Sequence, residues 1–192
     1  MTTLHLVRHG PTHQKTFVGW RDVPADLSDT AQIARLHAHL PSDAILVSSD
    51  LIRASATADA VQDGRNRLPH DPNLREFNFG DWDGQHFSEI AANDPEASRA
   101  YWENPGDTAP PNGESWNAAS ARISKAIDRL CKTHSGADIV IVAHIGAILT
   151  QVQRALLVSA HDVLAHKIDN LSVTDISVSP DAWTIGRINH LP

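Results

Sequence analysis

The sequence predicts an α/β protein built on a mostly parallel sheet. Strand and helix patterns alternate along its 192 residues, as they do where helices join parallel strands. Short apolar segments at 4–8, 44–48 and 138–143 have the composition of buried strands, and a helical pattern comes after each of them. Two segments of alternating character near the end, 171–178 and 183–188, predict an antiparallel pair that closes the sheet.

The first third of the chain supplies two strand and helix units. The first strand ends in Arg-His-Gly and breaks at Pro11, and a loop leads to a predicted helix over about 28–40 that Ser28 or Asp29 can cap. The second strand is followed by a predicted helix over about 50–62. One face of that helix is apolar at helical spacing, through Leu51, Ala54, Ala58 and Val61.

The rest of the chain continues the alternation after a loop-rich segment. Residues from about 66 to 112 mix short strand and helix signals with aromatic side chains, and we expect them to form an insertion over the active site at the sheet edge. Helices are predicted over 115–134 and 145–158, on either side of the strand at 138–143. The length is that of one domain, 1–192, with a sizeable core.

Composition argues against several classes of function. The net charge is −7 with no basic cluster, which disfavours nucleic acid and membranes as partners. The apolar runs are too short to span a bilayer and no leader pattern opens the chain, so we expect a cytoplasmic protein. The single cysteine, Cys131, is not a phosphatase nucleophile, because Ala137 stands where an arginine would hold phosphate over the thiolate.

Arginines and histidines recur where the predicted parallel strands end. Arg8 and His9 end the first strand, Arg53 lies in the first helical turn after the second strand, and His144 follows the third. Open α/β sheets bind ligands at this edge, so adjacent strands would bring the four side chains together. Arginine forks grip phosphate oxygens and an imidazole nitrogen is a nucleophile, so this set predicts phosphoryl transfer with His9 as the nucleophile. Taken singly, each residue also has a purely structural explanation.

A proton donor is predicted in the segment 74–84, LREFNFGDWDG. Glu76 lies there among aromatic residues, which desolvate a carboxyl group and raise its pKa toward neutrality. Such a group can protonate a departing alkoxide. Asp81, Asp83 and Glu114 remain alternatives for this role.

Taken together in this order, the segments resemble the histidine phosphatase superfamily, also called the phosphoglycerate mutase-like proteins. The resemblance covers most of the chain, and the acid-bearing segment is more similar to the phosphatase branch, including the α-ribazole phosphatase type. The residues that carry it are Arg8-His9-Gly10 with Thr12, Leu27-Ser28, the segment 48–54, the segment 74–84, Asn112-Gly113-Glu114-Ser115 with Arg122, and Ala143-His144 with Gly146.

The resemblance implies a three-layer α/β/α fold and a two-step reaction without metal or cofactor. His9 would attack phosphorus while Glu76 protonates the leaving oxygen, and the resulting phosphohistidine would then be hydrolysed. Arg8, Arg53 and His144 would hold the phosphoryl oxygens throughout. His9, Glu76 and His144 are therefore the expected catalytic residues.

Two further residues are candidates for binding the substrate phosphate, namely Thr12 and Lys15. Many members of the family carry asparagine at the position of Lys15, whose ammonium group would substitute as a point charge. Many also have Ser-His-Gly-Gly where Ala143-His144-Ile145-Gly146 stands here, and glycine where this chain has Ala31.

The function favoured by these residues is that of a phosphomonoesterase of the histidine acid-type, acting on a small phosphorylated metabolite. A phosphoglycerate mutase and a non-catalytic protein that binds phosphorylated ligands remain alternatives. A metal-dependent hydrolase is disfavoured, because the spacing of His5, His9 and His13 would align metal ligands only on a helix, and these residues span a strand and Pro11. A homodimer is left open as the assembly.

Overall fold

The computed structural model describes all 192 residues and contains one six-stranded sheet flanked by helices. The strands are β1 (Thr2–Arg8), β2 (Ile45–Ser48), β3 (Asn66–Arg67), β4 (Asp138–Ala143), β5 (Val173–Val178) and β6 (Trp183–Ile185). The helices are α1 (Thr30–His39), α2 (Ile52–Ala60), α3 (Phe87–Asn93), α4 (Pro95–Glu103), α5 (Trp116–Thr133), α6 (Ile145–Leu156) and α7 (Ala160–Val163).

The sheet is mixed, with strand order β3-β2-β4-β1-β5-β6. The first four strands in this order are parallel to one another, whereas β5 runs antiparallel to β1 and β6 antiparallel to β5. The predicted α/β fold with a closing antiparallel pair is therefore confirmed. The last two strands are shorter than expected, because the backbone turns out of the ladder at Leu171, where φ is +61°, and after Ile185.

The strands that carry the predicted site lie side by side. In the register of the sheet, Arg8 of β1 pairs with Ala143 of β4, and Ser48 of β2 pairs with Val142 of β4. Because the three strands are parallel, their carboxyl ends meet at one edge of the sheet. Residues that follow each strand are thereby brought within reach of one another.

Alternate side chains of β4 enter two different apolar cores. Ile139 and Ile141 pack on the face covered by α5 and α6, whereas Val140 and Val142 pack on the face covered by α1 and α2. Burial on both faces explains why β4 reads as a continuous apolar run. The result is the three-layer α/β/α arrangement, with helices on both sides of the sheet.

The helices begin close to the expected residues. Asp29, rather than Ser28, caps α1 by accepting a hydrogen bond from the backbone N–H of Gln32, and Ser115 caps α5 in the same way through Ala118. The second helix is shorter than the predicted range of 50–62, because α2 begins at Ile52 and ends at Ala60. The four-residue helix α7 has no clear pattern in the sequence.

The segment 66–112 folds beside the edge of the sheet at which the parallel strands end, and it has an aromatic cluster of its own. It contains β3, two short 3₁₀ helices at Pro72–Leu74 and Gly80–Trp82, and the helices α3 and α4. Its own apolar cluster consists of Trp82, Ile90 and Tyr101, against which Phe17, Phe79, Ala97 and Trp102 pack.

No helix anywhere in the fold combines the length and the hydrophobicity that crossing a bilayer requires.

We expect Gly80 to be required for the conformation of this segment. Its φ is +52°, and a Cβ at this position would lie 2.0 Å from the carbonyl oxygen of Pro111. Gly80→Ala should lower the free energy of unfolding by about 3–5 kcal/mol, because left-handed strain and a backbone clash act together. The matched control is Gly64→Ala, where φ is +83° but nothing lies within 4 Å, and the cost should be only about 1–2 kcal/mol. The free energy of unfolding would be measured by urea denaturation. If the two variants lost equal amounts of it, the clash at residue 80 would be relieved without cost, contrary to the prediction.

Candidate active site

The parallel strand ends surround a cavity of about 280 Å³. Arg8 and His9 reach it from the end of β1, Arg53 from the first turn of α2, and Glu76 from the segment that follows β3. Thr12 lies in its wall as well. The complete lining is Arg8, His9, Thr12, Gln14, Thr16, Phe17, Val18, Arg53, Glu76, Phe79, Trp102 and Ile145. We call this space the phosphate cavity, for the ligand that its arginines suit.

Two predicted residues are absent from this wall. Lys15 is exposed, and the neighbouring side chains Gln14 and Thr16 line the cavity instead. His144 is completely buried and is not part of the wall, although its ring centroid lies only 5.1 Å from that of His9.

The ring of His9 is buried and held in one tautomer. Its Nδ1 lies 2.7 Å from the carbonyl oxygen of Gly10, so Nδ1 carries the proton and donates it. The lone pair is then on Nε2. Burial, reinforced by the positive charges of Arg53 and Arg8, lowers the pKa of His9 to about 3, although the Gly10 hydrogen bond opposes this. His9 is consequently an uncharged imidazole at neutral pH.

Arg53 fixes the tautomer of the second histidine. Its Nε donates to Nδ1 of His144 over 3.2 Å, so the proton of His144 is on Nε2. That buried Nε2 has no hydrogen-bond partner. Burial, together with the nearby His9 and arginines, holds the pKa of His144 well below its usual value. His144 is therefore neutral, with one free N–H donor.

The same guanidinium is anchored by backbone carbonyls. Its two terminal nitrogens donate to the carbonyl oxygens of Arg21 and Gly19, over 3.0 and 2.6 Å. Arg8 is held similarly, since its Nη1 donates to the carbonyl of Ile168 over 2.6 Å, while its buried Nε has no partner. Burial lowers the pKa of both arginines, and the nearby Glu76 opposes this. Both remain charged, because guanidinium groups do not lose their proton in proteins.

The carboxyl group of Glu76 is buried and contacts the first turn of α6. Its two oxygens accept the backbone N–H groups of Phe77, at 3.0 Å, and Gly146, at 3.1 Å. Burial raises the pKa of Glu76, whereas these two hydrogen bonds and the charges of the arginines act in the opposite direction. The raised pKa favours a protonated side chain, which can donate a proton.

The backbone of Glu76 is positioned by residues that the sequence did not single out for this role. Its carbonyl oxygen accepts Nε1 of Trp20 over 2.8 Å and Nη2 of Arg122 over 3.1 Å. The Trp20 ring lies under two guanidinium groups, with Arg75 at 5.0 Å and Arg122 at 5.8 Å from its centroid. A tryptophan in a loop carries no local signal for such a long-range contact.

The other acidic candidates are engaged elsewhere. Glu114 forms a two-point ion pair with Arg122, both contacts being 2.8 Å, and accepts the backbone N–H of Asn78. Asp83 accepts the backbone N–H groups of Gly19 and Arg21. Asp81 accepts an amide N–H from Asn112 and lies on the surface. None of these three carboxylates lines the phosphate cavity, whereas Glu76 does.

The histidines near the start of the chain are paired with carboxylates. His5 lies between Asp175, at 2.8 Å, and Asp138, at 3.4 Å, and His13 contacts Asp26 at 2.8 Å. Although His5 lies on β1 and His9 comes directly after that strand, His5 does not line the phosphate cavity.

Comparison with known proteins identifies related sequences and folds. The model of the histidine phosphatase superfamily (branch 1) matches residues 4–191. The adenosylcobalamin/alpha-ribazole phosphatase of Salmonella typhimurium is 31% identical over 196 residues, which cover 97% of this chain and 95% of that protein.

Solved structures share the whole fold. Bacillus stearothermophilus YhfR superposes with a TM-score of 0.90 at 28% identity, covering 100% of this chain and 98% of that one. The mycobacterial glucosyl-3-phosphoglycerate phosphatase Rv2419c gives a TM-score of 0.85 at 26% identity, with 99% of both chains covered. The relatives that are named as phosphatases are named for different phosphate esters.

We expect Gly146 to be required for placing the Glu76 carboxyl group. A Cβ at residue 146 would lie 2.3 Å from Oε1 of Glu76, although alanine is otherwise favourable in the helix. Gly146→Ala should therefore keep the protein folded but reduce kcat/KM for ethyl phosphate at least about tenfold, by displacing the carboxyl group that the sequence predicts to be the proton donor.

The matched control is Gly106→Ala, because its nearest new contact is at an ordinary 3.8 Å and its φ is not positive. Melting temperature and ethyl phosphate hydrolysis would be measured for both variants. Full activity in Gly146→Ala would contradict the requirement for this close approach.

Proposed function

The chain belongs to the histidine phosphatase superfamily, and we propose that it is a metal-independent phosphomonoesterase acting through a phosphohistidine on His9. The observation that carries the proposal is the state of His9. It is an uncharged imidazole with Nδ1 committed to Gly10, in the wall of a cavity that also holds two guanidinium groups. Phosphatase names among the relatives support the same reaction class.

The phosphoryl group of a small ester would bind between Arg8 and Arg53. Nε of Arg8 and Nε2 of His144 are among the buried donors in this region that lack partners. Unsatisfied buried donors are costly, and phosphoryl oxygens reaching them would remove that cost. Thr12 can add a hydroxyl contact from the cavity wall. Lys15 has no place in this arrangement, because Gln14 occupies the wall at that point.

In the first step, Nε2 of His9 attacks phosphorus in line with the leaving oxygen. The new N–P bond forms as the P–O ester bond breaks, and protonated Glu76 gives its proton to the departing oxygen. The alcohol leaves, and His9 carries the phosphoryl group. The arginines stabilise the charge that spreads over the phosphoryl oxygens during transfer.

In the second step, a water molecule takes the place of the alcohol. Glu76 is now a carboxylate and accepts a proton from this water as the water oxygen attacks phosphorus. The N–P bond breaks, inorganic phosphate leaves, and both His9 and Glu76 return to their starting protonation states. No other group needs to supply or remove a proton.

The mutase alternative is disfavoured by the charges around the cavity. A phosphoglycerate carries a carboxylate in addition to its phosphate, and that second anion requires a cation of its own. Arg8 and Arg53 are the only arginine or lysine side chains in the cavity wall, and both are needed by the phosphoryl group. A non-catalytic binding protein is disfavoured because it has no need for a buried carboxyl group with a raised pKa.

The covalent step is tested by removing the nucleophile. His9→Ala should reduce the hydrolysis of p-nitrophenyl phosphate by at least about 10⁴-fold, whereas the exposed His161→Ala control retains full activity. Rapid quenching during turnover, followed by peptide mapping, should place the phosphoryl group on His9. A label on another residue would refute the assignment, and activity unaffected by a chelator is expected throughout.

The acid is tested by comparing leaving groups and pH. Glu76→Gln should reduce kcat/KM for ethyl phosphate by about 10²–10⁴-fold and that for p-nitrophenyl phosphate far less, because nitrophenolate departs without a proton. Glu76 must be protonated to act, so the ratio of wild-type to variant activity on ethyl phosphate should fall as pH rises through its raised pKa. Ionisation of the substrate affects both enzymes equally and cancels in this ratio. Equal losses on the two esters would contradict the assignment.

A further inference from the structure

A second cavity, of about 130 Å³, adjoins the phosphate cavity. We call it the apolar annex. Glu76, Phe79, Trp102 and Ile145 belong to the walls of both spaces. The walls that belong to the annex alone are mainly apolar, and include Phe77, Tyr101, Pro105, Trp116, Leu149 and Leu164.

The proton donor determines which part of a substrate lies nearest the annex. Glu76 must contact the leaving oxygen in order to protonate it, and Glu76 lies in the shared wall. The carbon group attached to that oxygen is therefore directed past Glu76 and away from the phosphoryl group, since attack by His9 is in line. The annex is the second space that borders this carboxyl group.

From this geometry we propose that the annex binds the leaving group of the substrate and selects an uncharged group with a single aromatic ring. The inference rests on the proposed phosphomonoesterase function and specifies its substrate class. An apolar cavity of about 150 Å³ is known to accept benzene, so the annex has the size of one ring and not of a fused pair.

The chemistry of the walls favours the same class. The rings of Phe77 and Trp116 meet edge to face with centroids 5.2 Å apart, and Tyr101 meets Trp102 in the same manner at 5.0 Å. A further ring can extend such packing. The annex contains no arginine, lysine or histidine, so a carboxylate or second phosphate would lose water without gaining a cationic partner.

The preference is tested with esters that release alcohols of similar basicity. Benzyl phosphate carries one ring, ethyl phosphate carries none, and 1-naphthylmethyl phosphate carries a fused pair. We expect kcat/KM for benzyl phosphate to exceed that for ethyl phosphate at least tenfold, because the ring leaves water for an apolar site. The naphthyl ester should be poorer than the benzyl ester.

A variant that fills the annex supplies a second measurement. Leu164 is partly exposed and lines the annex but not the phosphate cavity, so Leu164→Trp can fill the space without disturbing the core. The ratio of benzyl to ethyl activity should fall at least fivefold in this variant. Leu191→Trp is the matched control, because Leu191 is also partly exposed and lines neither space, and it should keep the wild-type ratio.

The outcomes separate this proposal from the one on which it rests. If all three esters are hydrolysed with equal kcat/KM, or if the naphthyl ester is preferred, the single-ring assignment is wrong while the phosphomonoesterase function stands. If none of the esters releases phosphate, both proposals fall. A benzyl preference that is unchanged in Leu164→Trp would place the ring outside the annex and overturn the assignment.

Discussion

The hydrogen bonds of the buried Arg53 guanidinium link three parts of the chain. Its side chain begins in the first turn of α2, contacts His144 at the end of β4, and holds the carbonyl groups of Gly19 and Arg21 in the loop after β1. Since a guanidinium can only donate, Nδ1 of His144 must accept, and the proton position on that ring follows. The loop held in this way also carries Trp20, which supports the backbone of Glu76. One arginine thereby connects the wall of the phosphate cavity to the backbone that carries Glu76.

The protonation states around the phosphate cavity form a consistent set. Burial and the two arginines keep His9 and His144 uncharged, so the fixed cations are Arg8 and Arg53 alone. Their two positive charges balance the two negative charges of a phosphate monoester dianion. The same burial that keeps the His9 imidazole neutral favours the neutral form of Glu76, which is the form that can donate a proton. Desolvation thus gives both side chains the protonation states that the proposed reaction requires.

Residues read directly from local patterns were predictable, whereas long-range partners were not. The apolar run of β4 gave its boundaries without error, and the rule that ligands bind at the carboxyl ends of parallel strands correctly brought Arg8, Arg53 and His144 to one edge. The sequence favoured Glu76 as the acid but left Glu114 as an alternative, because the ion pair that engages Glu114 with Arg122 has no local signal. It also could not show that Gln14, and not Lys15, lines the cavity. Side-chain directions repeat regularly in helices and strands but not in an irregular loop.

In the proposed reaction, the contact between Nδ1 of His9 and the Gly10 carbonyl would determine the regiochemistry and the lability of the covalent intermediate. With the proton kept on Nδ1, only the Nε2 isomer of the phosphorylated ring can form, and that ring is a cation until the N–P bond breaks. Its departing nitrogen regains a lone pair and becomes neutral, which makes it a good leaving group. The partner of Nδ1 is a carbonyl dipole and not a carboxylate, so the cation is stabilised only modestly. In the proposed reaction, the phosphorylated ring would consequently be a short-lived species, suited to rapid capture by water.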